Sequence, residues 1–115
     1  MSDAAAPFIH TDPLPDGVLI ALTGEIDLST SPQVRTALLD QAAKQPARIV
    51  IDLTSVPYMD SSGIATLVET LQHQRRHQGK LVLCGLQPKV KSIFEIARLN
   101  SIFTIMETAQ SARTA

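Results

Sequence analysis

The stretch Gly17-Val18-Leu19-Ile20-Ala21-Leu22-Thr23 places apolar side chains on both alternating sets of positions. A strand that is apolar on both faces is covered on both, as in a parallel sheet. Comparable runs recur at Arg48–Leu53, where Asp52 interrupts Ile49, Val50, Ile51 and Leu53, at Lys80–Gly85 around Leu81-Val82-Leu83-Cys84, and more briefly at Ile102–Met106. Between these runs the apolar period becomes helical. Ser31 suits an N-cap and Pro32 the first helical position, where its missing N–H costs nothing. Val34, Ala37, Leu38 and Ala42 then share one face as far as about Lys44, and Pro46 stops the helix. Ile64, Leu67, Val68 and Leu71 repeat at i, i+3, i+4 and i+7 in a helix expected from Ser61 to about Gln78. Its polar end, Gln72–Gln78, carries cations suited to a helix C-terminus, and Gly79 is expected to close it. Pro88 opens a third helix with Val90, Ile93, Phe94 and Ala97 on one face and Asn100 as its left-handed stop.

The order is therefore β–α–β–α–β–α–β, the pattern of an α/β fold. It predicts one domain over residues 17–106, with a mostly parallel four- to five-stranded sheet and about three to four helices. Residues 1–16 hold Pro7, Pro13 and Pro15 and read as a loosely ordered arm with a short edge strand at Phe8–His10. Residues 107–115 read as a polar tail with about one helical turn.

Composition narrows the function classes. The 115 residues suffice for one domain with a real core. A net charge of −1 without a clustered basic excess gives no case for nucleic acid. Three Phe, one Tyr and no Trp leave little for stacking bases or sugars. Cys84 stands alone, so neither an internal disulfide nor a CxxC centre is expected. No apolar run approaches the roughly 20 residues that span a bilayer, and Met-Ser-Asp-Ala-Ala-Ala-Pro lacks the features of a signal peptide. The expectation is a cytoplasmic protein without membrane insertion.

Ligands and partners of α/β sheets meet the carboxyl ends of the strands. Gly24–Thr30, Ser55–Gly63 and Gly85–Pro88 fall there. In the second segment the large side chains of Tyr58 and Met59 precede three N-cap candidates in a row, Asp60, Ser61 and Ser62. Capping alone, worth about 0.5–2 kcal/mol, is one reading of these residues. The other is reversible phosphorylation, because first-turn N–H groups and the helix dipole stabilise a phosphate. A Ser61 nucleophile would need a base. There is no G-x-S-x-G elbow, and His73 and His77 lie roughly 18–24 Å along the helix from Ser61 at about 1.5 Å per residue, while His10 is in the arm. An enzyme is therefore not expected. The i, i+4 pair His73 and His77 has Glu69 as its one nearby third ligand, so a solvated cationic helix end is expected there rather than a metal. Gly24-Glu25-Ile26-Asp27, with one glycine and two carboxylates, is no phosphate cradle, and no cofactor is expected.

Four segments carry a family resemblance: Leu22-Thr23-Gly24-Glu25-Ile26-Asp27, Ile49-Val50-Ile51-Asp52-Leu53, Val56-Pro57-Tyr58-Met59-Asp60-Ser61-Ser62-Gly63-Ile64 and Gly79-Lys80-Leu81-Val82-Leu83. Over about residues 17–106 the chain resembles the STAS-domain anti-sigma factor antagonists of bacterial partner-switching pathways. The resemblance implies that Ser61, directly after the aspartate, is phosphorylated by an anti-sigma factor serine kinase. The unphosphorylated protein would bind that kinase and free the sigma factor; phosphorylation would end the contact, and a serine phosphatase would restore it. It also implies that Asp27 lies near the acceptor and helps form the docking surface. The expected contact surface comprises the Gly24–Thr30 loop with Asp27, the Tyr58–Gly63 loop with Tyr58, Met59, Asp60, Ser62 and Gly63, and the exposed face of the following helix with Ala65, Thr66 and Glu69. Gly63 is expected to let a partner approach the first turn. The alternative is a STAS scaffold subunit of a transporter or stress-signalling complex in which Ser61 only caps the helix.

Overall fold

The computed structural model describes residues 8–115, so the first seven residues of the expected arm lie outside it. The elements are β1 (Phe8–Leu14), β2 (Gly17–Thr23), α1 (Ser31–Ala42), β3 (Arg48–Ser55), α2 (Ser61–Arg76), β4 (Lys80–Cys84), α3 (Pro88–Ile96), a 3-10 turn (Leu99–Ser101), β5 (Thr104–Met106) and α4 (Ala109–Ala112). The five strands stand in the order β1-β2-β3-β4-β5. β1 is antiparallel to β2, and every later neighbour is parallel. The α/β class and the mostly parallel sheet agree with the sequence expectation.

Because the sheet grows in one direction, right-handed crossovers put α1, α2 and α3 on a single face. There Val34 and Leu38 of α1, Leu67 and Leu71 of α2 and Val90 and Phe94 of α3 pack on Ile20, Leu22, Ile49, Ile51, Leu53 and Leu83. The opposite face buries Leu19, Val50, Val82 and Cys84 under Ala112 of α4. Burial pushes the Cys84 thiol up to about 12, as befits a small core residue rather than a reactive one. Arg48 fastens α4 to the sheet: its Nε donates to Asp16 at 2.9 Å, and its Nη1 to the main-chain oxygens of Ala112 and Ala115.

Several expectations need correction. Residues 8–14 are a seven-residue edge strand rather than a loose arm with three paired residues. Pro13 is tolerated because an edge strand needs hydrogen bonds on one side only. The packed structure therefore extends beyond residues 17–106 at both ends, through β1 and α4. Thr30, not Ser31, is the N-cap of α1, and Pro32 keeps its place in the first turn. The left-handed residues that close α2 and α3 are Gln78 (φ 60°) and Arg98 (φ 60°), not Gly79 and Asn100.

Candidate functional site

The β2·β3 ladder shifts register between Ala21 and Thr23 and then continues past the strands themselves. Gly24 N–H donates to Ser55 O at 3.0 Å, Ile26 N–H to Tyr58 O at 3.0 Å, and Asp60 N–H to Ile26 O at 3.1 Å. Ile26 and Met59 form an isolated parallel bridge. The two segments that sequence placed at the carboxyl end of the sheet are thus hydrogen-bonded to each other, and together they form a ledge in front of α2.

Ile26 and Met59, each 1% exposed, are the floor of this ledge. Gly63 sits on them: a Cβ there would lie 2.6 Å from Met59 Cγ and 2.8 Å from Ile26 Cγ2. Three of the expected contact residues are buried within the chain: Met59 points into the core, Gly63 makes room for the side chains of Met59 and Ile26, and Thr66 donates its hydroxyl to Ser62 O at 3.1 Å.

Asp27 shapes the first loop. Its Oδ1 accepts from Ser29 N–H (2.9 Å), Ser29 Oγ (2.7 Å) and Thr30 N–H (3.2 Å), while its main-chain oxygen receives Ser31 N–H at 2.7 Å. Asp60 does the same for α2. As N-cap, its Oδ1 accepts from Ser62 N–H at 2.9 Å, Ser62 Oγ at 2.5 Å and, more weakly, Gly63 N–H at 3.4 Å. The capping bonds of α2 are therefore made by Asp60 and not by Ser61. Ser61, the first helical residue, is exposed, and its hydroxyl has no hydrogen-bond partner among the described residues.

Both aspartates are held below the usual carboxylate range, Asp27 chiefly by the Ser29 hydroxyl and Asp60 chiefly by the Ser62 hydroxyl, with backbone N–H groups adding to each. A depressed folded-state pKa contributes stability that is complete above the unfolded value of 3.8 and lost as pH falls through the folded value. Asn caps a helix about as well as Asp but does not titrate. Asp60→Asn is therefore expected to show a shallower loss of urea-unfolding midpoint than wild type between about pH 5 and pH 2. An unchanged slope would show that Asp60 does not couple to folding.

Around Ser61 the surface is mixed. Leu28, 79% exposed, and Tyr58, 38% exposed, are large apolar groups left in solvent. The bond from Asp60 N–H to Ile26 O ties the two loops together beside Ser61. Leu28 lies within the Gly24–Thr30 loop expected on the contact surface, although the sequence reading did not single it out. A leucine among Asp27, Ser29 and Thr30 belongs to no helical or strand period, and that lack of a core partner was the available signal. Along α2, Glu69 is not an unengaged contact: Arg35 of α1 grips it with both nitrogens, at 2.8 and 2.7 Å. Between these helices runs a groove of about 400 Å³ lined by Ser31, Pro32, Arg35, Ser62, Thr66 and Glu69 among others. The structure thus brings Asp27, Tyr58, Asp60, Ser61 and Ser62 to one end of the molecule, with Glu69 about two turns further along. His77, at the far end of α2, has its Nε2 3.0 Å from Pro46 O. No helix among the described residues is long and apolar enough to cross a membrane.

Residues 9–112 match the STAS domain family. The protein BtrV of Bordetella bronchiseptica is 36% identical over 101 residues, 87% of each chain. An anti-sigma-B factor antagonist of Listeria monocytogenes is 40% identical over 90 residues, 78% of this chain and 79% of its own. In three dimensions, an anti-sigma factor antagonist from Mycobacterium paratuberculosis has the same fold, with a TM-score of 0.87 over 94% of this chain and 92% of that one at 23% identity. The chain belongs to the STAS-domain family of anti-sigma factor antagonists.

Proposed function

We propose that this protein is a phosphorylation-switched anti-sigma factor antagonist. Unphosphorylated, it binds an anti-sigma factor serine kinase through the ledge formed by Asp27, Leu28 and Tyr58 and the start of α2. Phosphorylation of Ser61 ends the contact, and a serine phosphatase resets it. The observation that carries this reading is the division of labour at the start of α2. Asp60 caps the helix and engages Ser62, while Ser61 is exposed and has no capping duty. The reading of Ser61 as only a helix cap in a scaffold subunit gains no support from α2, whose capping bonds are made by Asp60.

A phosphate on Ser61 would meet the first-turn N–H groups and the positive end of the α2 dipole, which stabilise it within the folded chain. It would also add about −1.5 to −2 charge beside two carboxylates and the apolar side chains of Leu28 and Tyr58. Fold and docking are thereby separated: the modified chain stays folded, and its surface no longer suits the partner. The output is a protein–protein contact, not a reaction catalysed by this chain.

The experiment is to purify the protein from its native host in growth and in stress and to map phosphate by fragment-ion mass spectrometry. The reading predicts one phosphate, on Ser61, with an occupancy that differs between the two conditions. An unmodified Ser61 in both conditions would remove the switch from the account.

A further inference from the structure

We propose that Asp60 decides which of the two adjacent serines accepts the phosphoryl group, by holding the hydroxyl of Ser62 and leaving that of Ser61 unengaged. This rests on the reading of Ser61 as the acceptor. Ser61 and Ser62 carry the same nucleophile and occupy the first two positions of one helix, so the dipole and the first-turn N–H groups barely distinguish them.

Two features of the site do. Ser62 Oγ donates to Asp60 Oδ1 at 2.5 Å, within the short, charge-assisted range, and its own N–H donates to the same oxygen at 2.9 Å. The second feature is place. Ser62 is half-buried and lines the groove between α1 and α2 beside Ser31, Pro32 and Arg35, whereas Ser61 is exposed and outside that lining.

In transfer from a nucleoside triphosphate, the serine Oγ forms a bond to the γ-phosphorus as the bond to the diphosphate oxygen breaks. The hydroxyl proton passes to a base of the kinase. Attack needs an oxygen brought to about 3–3.5 Å of the phosphorus with a lone pair in line. Ser61 meets that demand by rotating in solvent. Ser62 must first break its bond to a carboxylate and turn out of the groove. The same carboxylate does not activate Ser62 as a base, because its bonds hold it below the usual carboxylate range, and a weak base removes a hydroxyl proton poorly. Asp60 therefore acts as a positioning residue that withholds Ser62.

The test uses the full chain as wild type, Asp60→Asn and Asp60→Gly, each incubated with ATP and native-host extract as the source of kinase. Asn weakens the hold on Ser62, and Gly removes the acceptor altogether; both are accepted N-cap residues. Circular dichroism confirms folding, and fragment-ion mass spectrometry of the tryptic peptide 49–75 assigns phosphate to Ser61 or Ser62. Wild type is expected to carry it on Ser61, and in Asp60→Gly the share on Ser62 should rise about tenfold or more, with Asp60→Asn between the two. Folded variants that keep the wild-type ratio overturn the proposal. Loss of phosphate from both serines in folded Asp60→Asn also overturns it, since Asp60 would then serve transfer to Ser61 rather than the choice between serines. A wild-type chain labelled on neither serine is a different failure, that of Ser61 as acceptor.

Discussion

Ser61→Asp is expected to bind the anti-sigma factor partner about a hundredfold more weakly than wild type, or worse, while its unfolding free energy stays within about 1 kcal/mol. The two effects separate because they arise at different contacts. Within the folded chain, the new carboxylate sits at the first position of α2, where a negative charge is favoured by the dipole. The Asp60 cap and its bond to Ser62 need not move to admit it. In the complex the same charge is set against a surface that accommodated a neutral hydroxyl between Leu28 and Tyr58. Leaving a charge unpaired at an interface costs about 2–5 kcal/mol, the equivalent of roughly thirtyfold to several thousandfold in affinity, with about a hundredfold inside that range. Ser61→Ala is expected to bind as wild type does and to take no phosphate. Isothermal titration against the partner, paired with urea unfolding of each variant, checks both halves. An unfolded Ser61→Asp would mean the serine is packed, and an unchanged affinity would place the contact elsewhere.

Gly63→Val is expected to destabilise the protein by about 3 kcal/mol and to weaken partner binding even in the fraction that remains folded. Replacing a helical glycine normally gains up to about 1 kcal/mol in backbone terms. Here steric crowding outweighs that gain. The first added carbon already falls 2.6 Å from Met59 Cγ and 2.8 Å from Ile26 Cγ2, and valine adds two methyl groups beyond it. Ile26 is β-branched and stiff at χ1, so it cannot swing aside cheaply. The strain must be relieved by separating α2 from the Ile26–Met59 bridge, which is the link that holds the loop of Asp27 and Leu28 beside Ser61. Chemical unfolding gives the stability term, and titration of the folded fraction gives the second. Wild-type stability would show that the ledge is looser than its packing indicates.

The elements that sequence located well are those with a face to bury. Ile64, Leu67, Val68 and Leu71 announce α2, and the doubly apolar Val18–Thr23 and Arg48–Leu53 runs announce central strands, because both read directly as periodic burial. β1 and α4 were less legible for the same reason. In β1, His10 and Asp12 face each other as an exposed pair 3.2 Å apart and Pro13 interrupts the pattern, so the strand is defined by its pairing with β2 rather than by its own composition. α4 is four residues of small and polar type, and its burial of Ala112 depends on Arg48, 64 positions away. Such contacts belong to the fold and leave no local period.

The site divides along a similar line. The start of α2 at Ser61, with Asp60 among the cap candidates, was readable from the order of these residues before an apolar helical stripe. The inward turn of Met59 was not, because a methionine in a loop reads as exposed until Ile26 is known to lie across from it. Exposed Leu28 is the converse case, an apolar residue without a core partner. Glu69 likewise looked available until Arg35, 34 positions earlier in the chain, proved to hold it.

The central claim is that one phosphate on Ser61 separates two binding states of an otherwise unchanged fold. The direct measurement is the affinity of the partner captured by Ser61→Ala for two purified forms of the wild-type chain, unphosphorylated and phosphorylated on Ser61. The account predicts tight binding by the first form and at least about a hundredfold weaker binding by the second, with superimposable circular dichroism. Equal affinity for the two forms would contradict it.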